Sequence, residues 1–146
     1  MRANELMIGD FVMFTSKFGY GIGQIEGIEP REGSAEPTTF TIRKKDKDGN
    51  TILFVGVGRT CVKPITLTLE ILEKNGFELR DGFLYHRIDD NPHHYDFKLK
   101  NGGVFTSEGY TLECGIYYLT IRYVHELQNA LRLCGLNDLA DIFQLI

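Results

Sequence analysis

Apolar and polar positions change rhythm along this 146-residue chain near Pro64. Before it, Gly, Asp and Pro cut the sequence into short segments with almost no helical period. Asp10 to Phe14 is apolar and β-prone. Tyr20 to Ile28 sets Ile22, Ile25 and Ile28 among Gly21, Gly23 and Gly27, which allow tight bending. Pro30 to Pro37 is polar, holds a glycine and two prolines, and reads as a loop. Phe40 to Arg43 and Thr51 to Val55 read as strands flanking Asp48-Gly49, a dipeptide that tolerates the positive φ of a tight hairpin turn. Thr60 to Lys63 reads as a last short strand before Pro64. Such short strands cannot bury a flat sheet alone. The expected solution is a small SH3-like β-barrel, because closure removes exposed edges.

After Pro64 helical spacing enters. Thr68 is placed to cap a helix, its hydroxyl accepting a free N–H of the first turn. Leu67 and Leu72 occupy the staple positions, Glu70 and Lys74 suit the helix dipole, and Gly76 is a stop. So short a helix depends on packing Leu69, Ile71 and Leu72 onto a sheet. A meander follows. Phe77 to Leu79 and Phe83 to His86 flank Asp81-Gly82. Tyr95, Phe97 and Leu99 alternate with polar residues, Asn101-Gly102 is a turn, and Val104 to Thr106, Tyr110 to Leu112 and Ile116 to Ile121 continue it. A final long helix begins near Arg122, with Val124, Leu127, Leu131 and Cys134 as its apolar stripe and Gly135 beyond its end. Asn137 can cap a last short helix carrying Leu139, Ile142 and Phe143. The apolar end through Ile146 either docks on the sheet or offers a self-association surface, which would make the chain a homo-oligomer. The fold class is α+β: an SH3-like β module over residues 1–64, then a helix–antiparallel meander–helix module over residues 65–146.

Composition narrows the function classes. Apolar residues are 42% and charged residues 25%, ordinary for a soluble globular domain. No apolar run approaches the roughly 20 residues that span a bilayer, and residues 1–5 lack a signal-peptide stretch. The expected compartment is the cytoplasm, with no membrane partner. Cys61, Cys114 and Cys134 are an odd, widely spaced set, which fits reduced thiols packed as small apolar groups. Residues 1–64 hold 9 Lys and Arg against 8 Asp and Glu; residues 65–146 hold 7 against 12. Neither half has the basic excess that phosphate neutralisation calls for. The run Arg43-Lys44-Lys45-Asp46-Lys47-Asp48 reads as a solvated hairpin end, with a nucleic-acid contact as the alternative.

Several motifs dissolve on inspection. Gly19-Tyr20-Gly21-Ile22-Gly23 precedes a strand rather than a helix, so it cannot place phosphate on a helix N-terminus. Asp46-x-Asp48-x-Asn50 starts like a calcium loop, but Val57 stands where a bidentate glutamate is required. His86 to Asp96 gathers His86, Asp89, Asp90, His93, His94 and Asp96, types that can hold a metal or do acid–base chemistry. Adjacent His93 and His94 point to opposite faces of an extended chain, however, and Asp-Asp-Asn-Pro is turn chemistry. His125 has Asn129 where a zinc-protease helix needs its second histidine. None of Ser16, Ser34 and Ser107 sits in a nucleophile elbow. The residues therefore assign no catalytic, cofactor or metal role. What remains is a set of aromatics, Phe14, Phe18 and Tyr20, around a Gly-rich hairpin where barrel domains carry binding loops. Packing is the ordinary role of such residues. Clustered at the surface beside Lys17 or Arg59, Phe18 and Tyr20 would instead serve a peptide or stack on a single strand.

Three stretches carry a resemblance. Residues 1–12, Pro64-Ile65-Thr66-Leu67-Thr68 with its helix through Phe77, and Tyr123-Val124-His125-Glu126-Leu127-Gln128-Asn129 are similar, in order and spacing, to a family of small uncharacterised proteins of gut Bacteroidales and their phages and mobile elements. The chain departs from it at Thr68-Leu69-Glu70, where members often have Thr-Glu-Glu. The first half also resembles Tudor and KOW-type barrels in layout. The resemblance implies a non-catalytic accessory protein that binds an unknown protein partner. A nucleic-acid-associated module using the barrel is the alternative, and a metal-dependent hydrolase at the His86–Asp96 loop the last.

Overall fold

The computed structural model describes residues 5–30, 37–86, 97–103, 107–114, 117–141, 143 and 145. The fold is α+β, with two five-stranded antiparallel sheets. The first holds β1 (Phe11–Ser16), β2 (Gly19–Pro30), β3 (Pro37–Lys45), β4 (Thr51–Gly58) and β5 (Val62–Lys63) in the order β4-β3-β2-β1-β5. The second holds β6 (Phe77–Arg80), β7 (Phe83–His86), β8 (Phe97–Asn101), β9 (Tyr110–Cys114) and β10 (Tyr117–Ile121), an unbroken meander. Helices α1 (Leu69–Lys74), α2 (Val124–Leu133) and α3 (Asn137–Asp141) complete it.

The first sheet curls. A single 3₁₀ turn, Arg59–Cys61, carries the chain from β4 to β5, which pairs with β1 through Phe14 and Val62. Among the described residues β4 and β5 do not pair, so the expected closed barrel ladder is not formed; β5 is only two residues long and reaches only β1. Curvature nevertheless brings β1 against β4, and Phe14 meets Phe54 with ring centroids 4.8 Å apart. Val12, Phe14, Ile25, Phe40, Ile42, Phe54, Val57 and Val62 form the core inside the curl. Ile22, Ile25 and Ile28 are three apart, which a regular strand would send to alternating faces. A bulge between Ile25 and Gly27 returns Ile28 to the Ile25 side, while Ile22 faces outward and packs against the second core. At Gly23 a Cβ would stand 2.5 Å from Ile42 Cγ2, so the tight curl requires glycine there.

In the second half Thr68 caps α1, its Oγ1 accepting the Ile71 N–H at 3.2 Å. Leu67 and Leu72 are buried as the staple reading requires, but Leu69 is exposed and takes no part. Asp81 and Gly82 both have positive φ, the signature of the predicted tight turn. Phe97 and Leu99 are buried in β8 as predicted. The expected turn at Asn101-Gly102 is instead the start of a longer connection, since Asn101 pairs with Tyr110. Tyr95, the predicted strand Val104 to Thr106, most of the 30–37 loop, and Ile116 and Ile142 lie outside the described residues. The α2 stripe ends at Leu131; Cys134 and Cys61 are exposed rather than packed, because each falls on a turn facing solvent. In the tail, Phe143 is buried and Leu145 packs against the second core.

The halves are joined by a polar seam. Gln128, fully buried on α2, accepts the Phe11 N–H at 2.8 Å through Oε1, and its Nε2 donates to Gly9 O at 3.0 Å and Ala140 O at 2.8 Å. Asp10, also fully buried, accepts from Met7 N at 2.8 Å and pairs with Arg132, which also donates to Asn129 Oδ1 at 2.8 Å. Gly9 has φ +93°, and a Cβ on it would lie 2.8 Å from Arg132 Nη2. The linker is held at the same place: Val124 N donates to Ile65 O and Leu67 N to Arg122 O, both at 2.9 Å.

His125 lies in this seam, 1% exposed and stacked on Tyr123, and neither ring nitrogen finds a partner among the described residues. Burial pushes its pKa below the ordinary 6.5, against the opposing pull of Asp10, Glu126 and Glu5. Burial conversely raises the Asp10 carboxyl, while Arg132 and Met7 N–H pull it down. For His125 the folded state binds a proton less readily than the unfolded chain. Its contribution is complete above pH 6.5 and is lost as pH falls through the lowered value. Between pH 7.5 and 5 the melting temperature is expected to drop, and His125→Phe to flatten that slope; thermal melts across the range check it. Arg132→Met strands the Asp10 carboxylate and is expected to cost about 3–5 kcal/mol in urea unfolding.

Candidate functional site

The aromatics singled out from the sequence separate by strand alternation. Phe14 points into the curl and is 3% exposed, in its ordinary packing role. Phe18 stands in the β1–β2 turn at 90% exposure and Tyr20 opens β2 at 76%. Ser16 fixes this turn, its Oγ donating to Gly19 O at 3.0 Å and accepting from Phe18 N at 3.2 Å. Lys17, between them, is exposed. Lys44 reaches over from β3 and donates to Tyr20 O at 2.7 Å, crossing the space that a side chain at Gly21 would fill. Phe18 and Tyr20 are thus held at one hairpin end with Lys17 in the turn and Lys44 on β3. Arg59 lies on another element, the exposed 3₁₀ turn against β1 and β3.

The register defines the outer face of this sheet. Phe11, Gln24, Arg43 and Leu53 form one cross-strand row; Lys63, Met13 and Ile22 form a second; Thr15 faces Tyr20, and Lys45 faces Thr51. Arg43, Lys45 and Lys63 are the charged side chains in these rows, and all three are basic. The acidic residues of β2, Glu26 and Glu29, lie at and beyond the bulge, toward the other end of the strand. Arg43 is steadied by donating to Gln24 Oε1 at 2.9 Å, and Gln24 Nε2 in turn donates to Gly9 O and Asp141 O, both at 3.2 Å. One end of the face is therefore clamped to the seam, while Met13, Tyr20 and Leu53 remain open to solvent. A recess of about 280 Å³ marks the junction, with Arg43 set beside the carboxylates of Glu26 and Asp141 and the amide of Gln24.

The outer face of the second sheet is chemically different. Lys98 Nζ sits 3.8 Å from the centroid of the Phe83 ring. Glu78 stands opposite Tyr85 and Glu113 opposite Tyr118, so acids interleave with the aromatics there. Shallow recesses of about 360 and 430 Å³ flank Asn101, the first lined by Lys100, Thr111, Glu113 and Tyr118, the second by Ser107, Glu108, Tyr110 and Tyr123 among others.

The other sequence candidates are dispersed. Asp46 is part of a hairpin, its Oδ1 accepting from Asp48 N at 2.9 Å and Asn50 N at 2.8 Å, which explains the calcium-loop mimicry. His86 packs edge-on against Phe77 at 5.1 Å. Residues 87–96, with His93 and His94, and Ser34 lie outside the described residues. Among the described residues no three His, Cys, Asp or Glu side chains are grouped to hold a metal. Nor, among the described residues, is any helix long and apolar enough to cross a membrane. No family model, curated protein or solved structure matches the chain.

Sequence reading missed the seam, since an Asp more than a hundred residues away from its Gln and Arg partners carries no local signal. The two halves of the aromatic set respond differently to truncation. Phe14→Ala is expected to cost about 3–5 kcal/mol, whereas Phe18→Ala and Tyr20→Ala are expected to stay within about 0.5 kcal/mol of the parent. Denaturant midpoints at matched slope distinguish them.

Proposed function

We propose that this chain is a non-catalytic binding protein that presents the outer face and hairpin end of its first sheet to a partner. The observation that carries the reading is the pair Phe18 and Tyr20, almost bare to solvent on a turn built by its own hydrogen bonds. Isolated exposed aliphatics are common; two neighbouring exposed rings beside lysines on a rigid hairpin are a recognition surface. The strand order β4-β3-β2-β1-β5, with a 3₁₀ turn leading into a β5 that returns to β1, supports placing the first half among SH3-like modules. Loops at the end of such a sheet are where such scaffolds carry contacts.

The resemblance of the three signature stretches supports reading the protein as an accessory factor of a phage or mobile element, working in the cytoplasm. Those signatures are fold-making: Gly9-Asp10 and Gln128-Asn129 meet in the seam, and Ile65 and Leu67 bond beside the start of α2. They hold the scaffold constant and leave the hairpin end as the part that meets a partner.

A photo-crosslinking amino acid placed at Tyr20 in cells is expected to give a discrete adduct. The same group at Leu79 or Leu133, both exposed on the second half, is expected to give none. Equal yields at the three positions, or none at Tyr20, would remove this reading. Nuclease and protease digestion of the adduct identifies its class.

A further inference from the structure

We infer that the ligand of this face is single-stranded nucleic acid, an assignment that rests on the outer face being the binding surface. The first observation is segregation of charge. The whole chain is acidic, at −4, yet the rows on the hairpin side of the bulge carry Arg43, Lys45 and Lys63, while the carboxylates of this sheet face, Glu26 and Glu29, stand at and beyond the bulge. Lys17 adds a basic side chain in the hairpin turn, and Lys44, which alternates to the inner side with Ile42, reaches the same end at the Tyr20 carbonyl. The cations are spread rather than clustered. Lys63 on β5 and Lys45 on β3 are separated by three strand spacings, about 14 Å. One carboxylate or one bound phosphate cannot meet both, whereas a backbone with repeating negative charge can.

The second observation is the apolar content between the cations. Tyr20 and Phe18 offer exposed rings, and Met13 and Leu53 offer half-exposed aliphatic surface on the same face. A single strand needs both parts: a groove of positive charge tracking the phosphates and flat π surfaces for unpaired bases. A duplex keeps its bases stacked and gains nothing from Tyr20. The carbonyl of Tyr20 is held by Lys44, so the ring projects from a fixed backbone and loses little freedom when a base covers it. The second sheet lacks this pattern because Glu78 and Glu113 stand among its aromatics.

The third observation concerns orientation. The Phe11–Gln24–Arg43–Leu53 row ends at the seam, where Gln24 is bonded to Gly9 and Asp141. The α2–α3 side therefore walls off one edge, and the second core covers Phe11 and Ile22, so a strand keeps to the open end, passing Met13, Tyr20 and Phe18 with Lys63 on one side and Lys45 on the other.

Fluorescence anisotropy with the full chain and fluorescein-labelled 12-nucleotide oligothymidylate and oligouridylate tests the assignment. A mixed-sequence 12-base-pair duplex and an octaglutamate peptide serve as competitors. The expected result is binding of the single strands in 20 mM salt, with the duplex weaker. Affinity is expected to fall about fifteen-fold between 50 and 200 mM salt, as for about three neutralised phosphates. Tyr20→Ala is expected to weaken binding about ten-fold, and Lys45→Glu with Lys63→Glu to abolish it, with melting temperatures unchanged. No anisotropy change in 20 mM salt, an affinity indifferent to Tyr20→Ala, or octaglutamate competing as well as the oligonucleotides would each overturn the assignment. The photo-adduct at Tyr20 keeps the outcomes apart. An adduct that survives nuclease while the oligonucleotides fail leaves the binding surface standing with a protein partner; no adduct at all removes the surface itself.

Discussion

The arrangement depends on one buried amide. Gln128 faces Phe11, Gly9 and Ala140 at once, with its oxygen accepting and its nitrogen donating twice. Buried side-chain amides are as a rule hydrogen-bonded, and an unmade bond there carries the whole desolvation cost of the group. This side chain therefore fixes the angle between α2, the start of β1 and the end of α3 more strictly than apolar packing, which tolerates sliding. Asp10 and Arg132 reinforce it. Their pairing is a weak source of net stability but a strong penalty on any other docking, because each alternative strands a buried charge.

That constraint explains how two separate apolar interiors behave as one scaffold. One core lies inside the curl of the first sheet; the other lies between the second sheet and its helices, with Phe11 and Ile22 reaching into it. Phe11 and Ile22 supply apolar contact between them, and the polar seam supplies direction. Gly9 is indispensable on two counts, its left-handed backbone and the guanidinium resting against it. The outer face of the first sheet inherits its rigidity from the same place through Gln24 and Arg43.

Local chemistry was legible in the sequence and long-range polar geometry was not. Thr68, Asp81-Gly82 and the alternation of Phe97 and Leu99 announce a cap, a turn and a half-buried strand, because each acts through neighbours within a few residues. The bulge after Ile25 was hidden, since a spacing of three isoleucines fits neither regular period and only the partner strand decides where the extra residue falls. Barrel closure was over-read from strand count: a two-residue β5 cannot pair on both sides. Phe14 and Phe18 look alike in sequence, yet one is core and the other bare, and only the register separates them. The basic character of the outer face was obscured by counting charge along the chain. Asp46 and Asp48 dilute the run from Arg43, but they belong to the hairpin turn and not to the face.

The long span of the seam has a consequence for synthesis. Bonds from Gln128 and Arg132 to Phe11, Gly9 and Asp10 bridge 117 to 122 residues. As the nascent chain leaves the ribosome, the first sheet can curl on its own contacts long before α2 exists. Through that interval Asp10 has no guanidinium and the Phe11 N–H no amide oxygen, so this corner stays hydrated and loose. The Asp10–Phe11 corner is thus finished only by the last helices, whereas the hairpin that carries Tyr20, closed by Ser16 and Lys44, needs nothing that is made later.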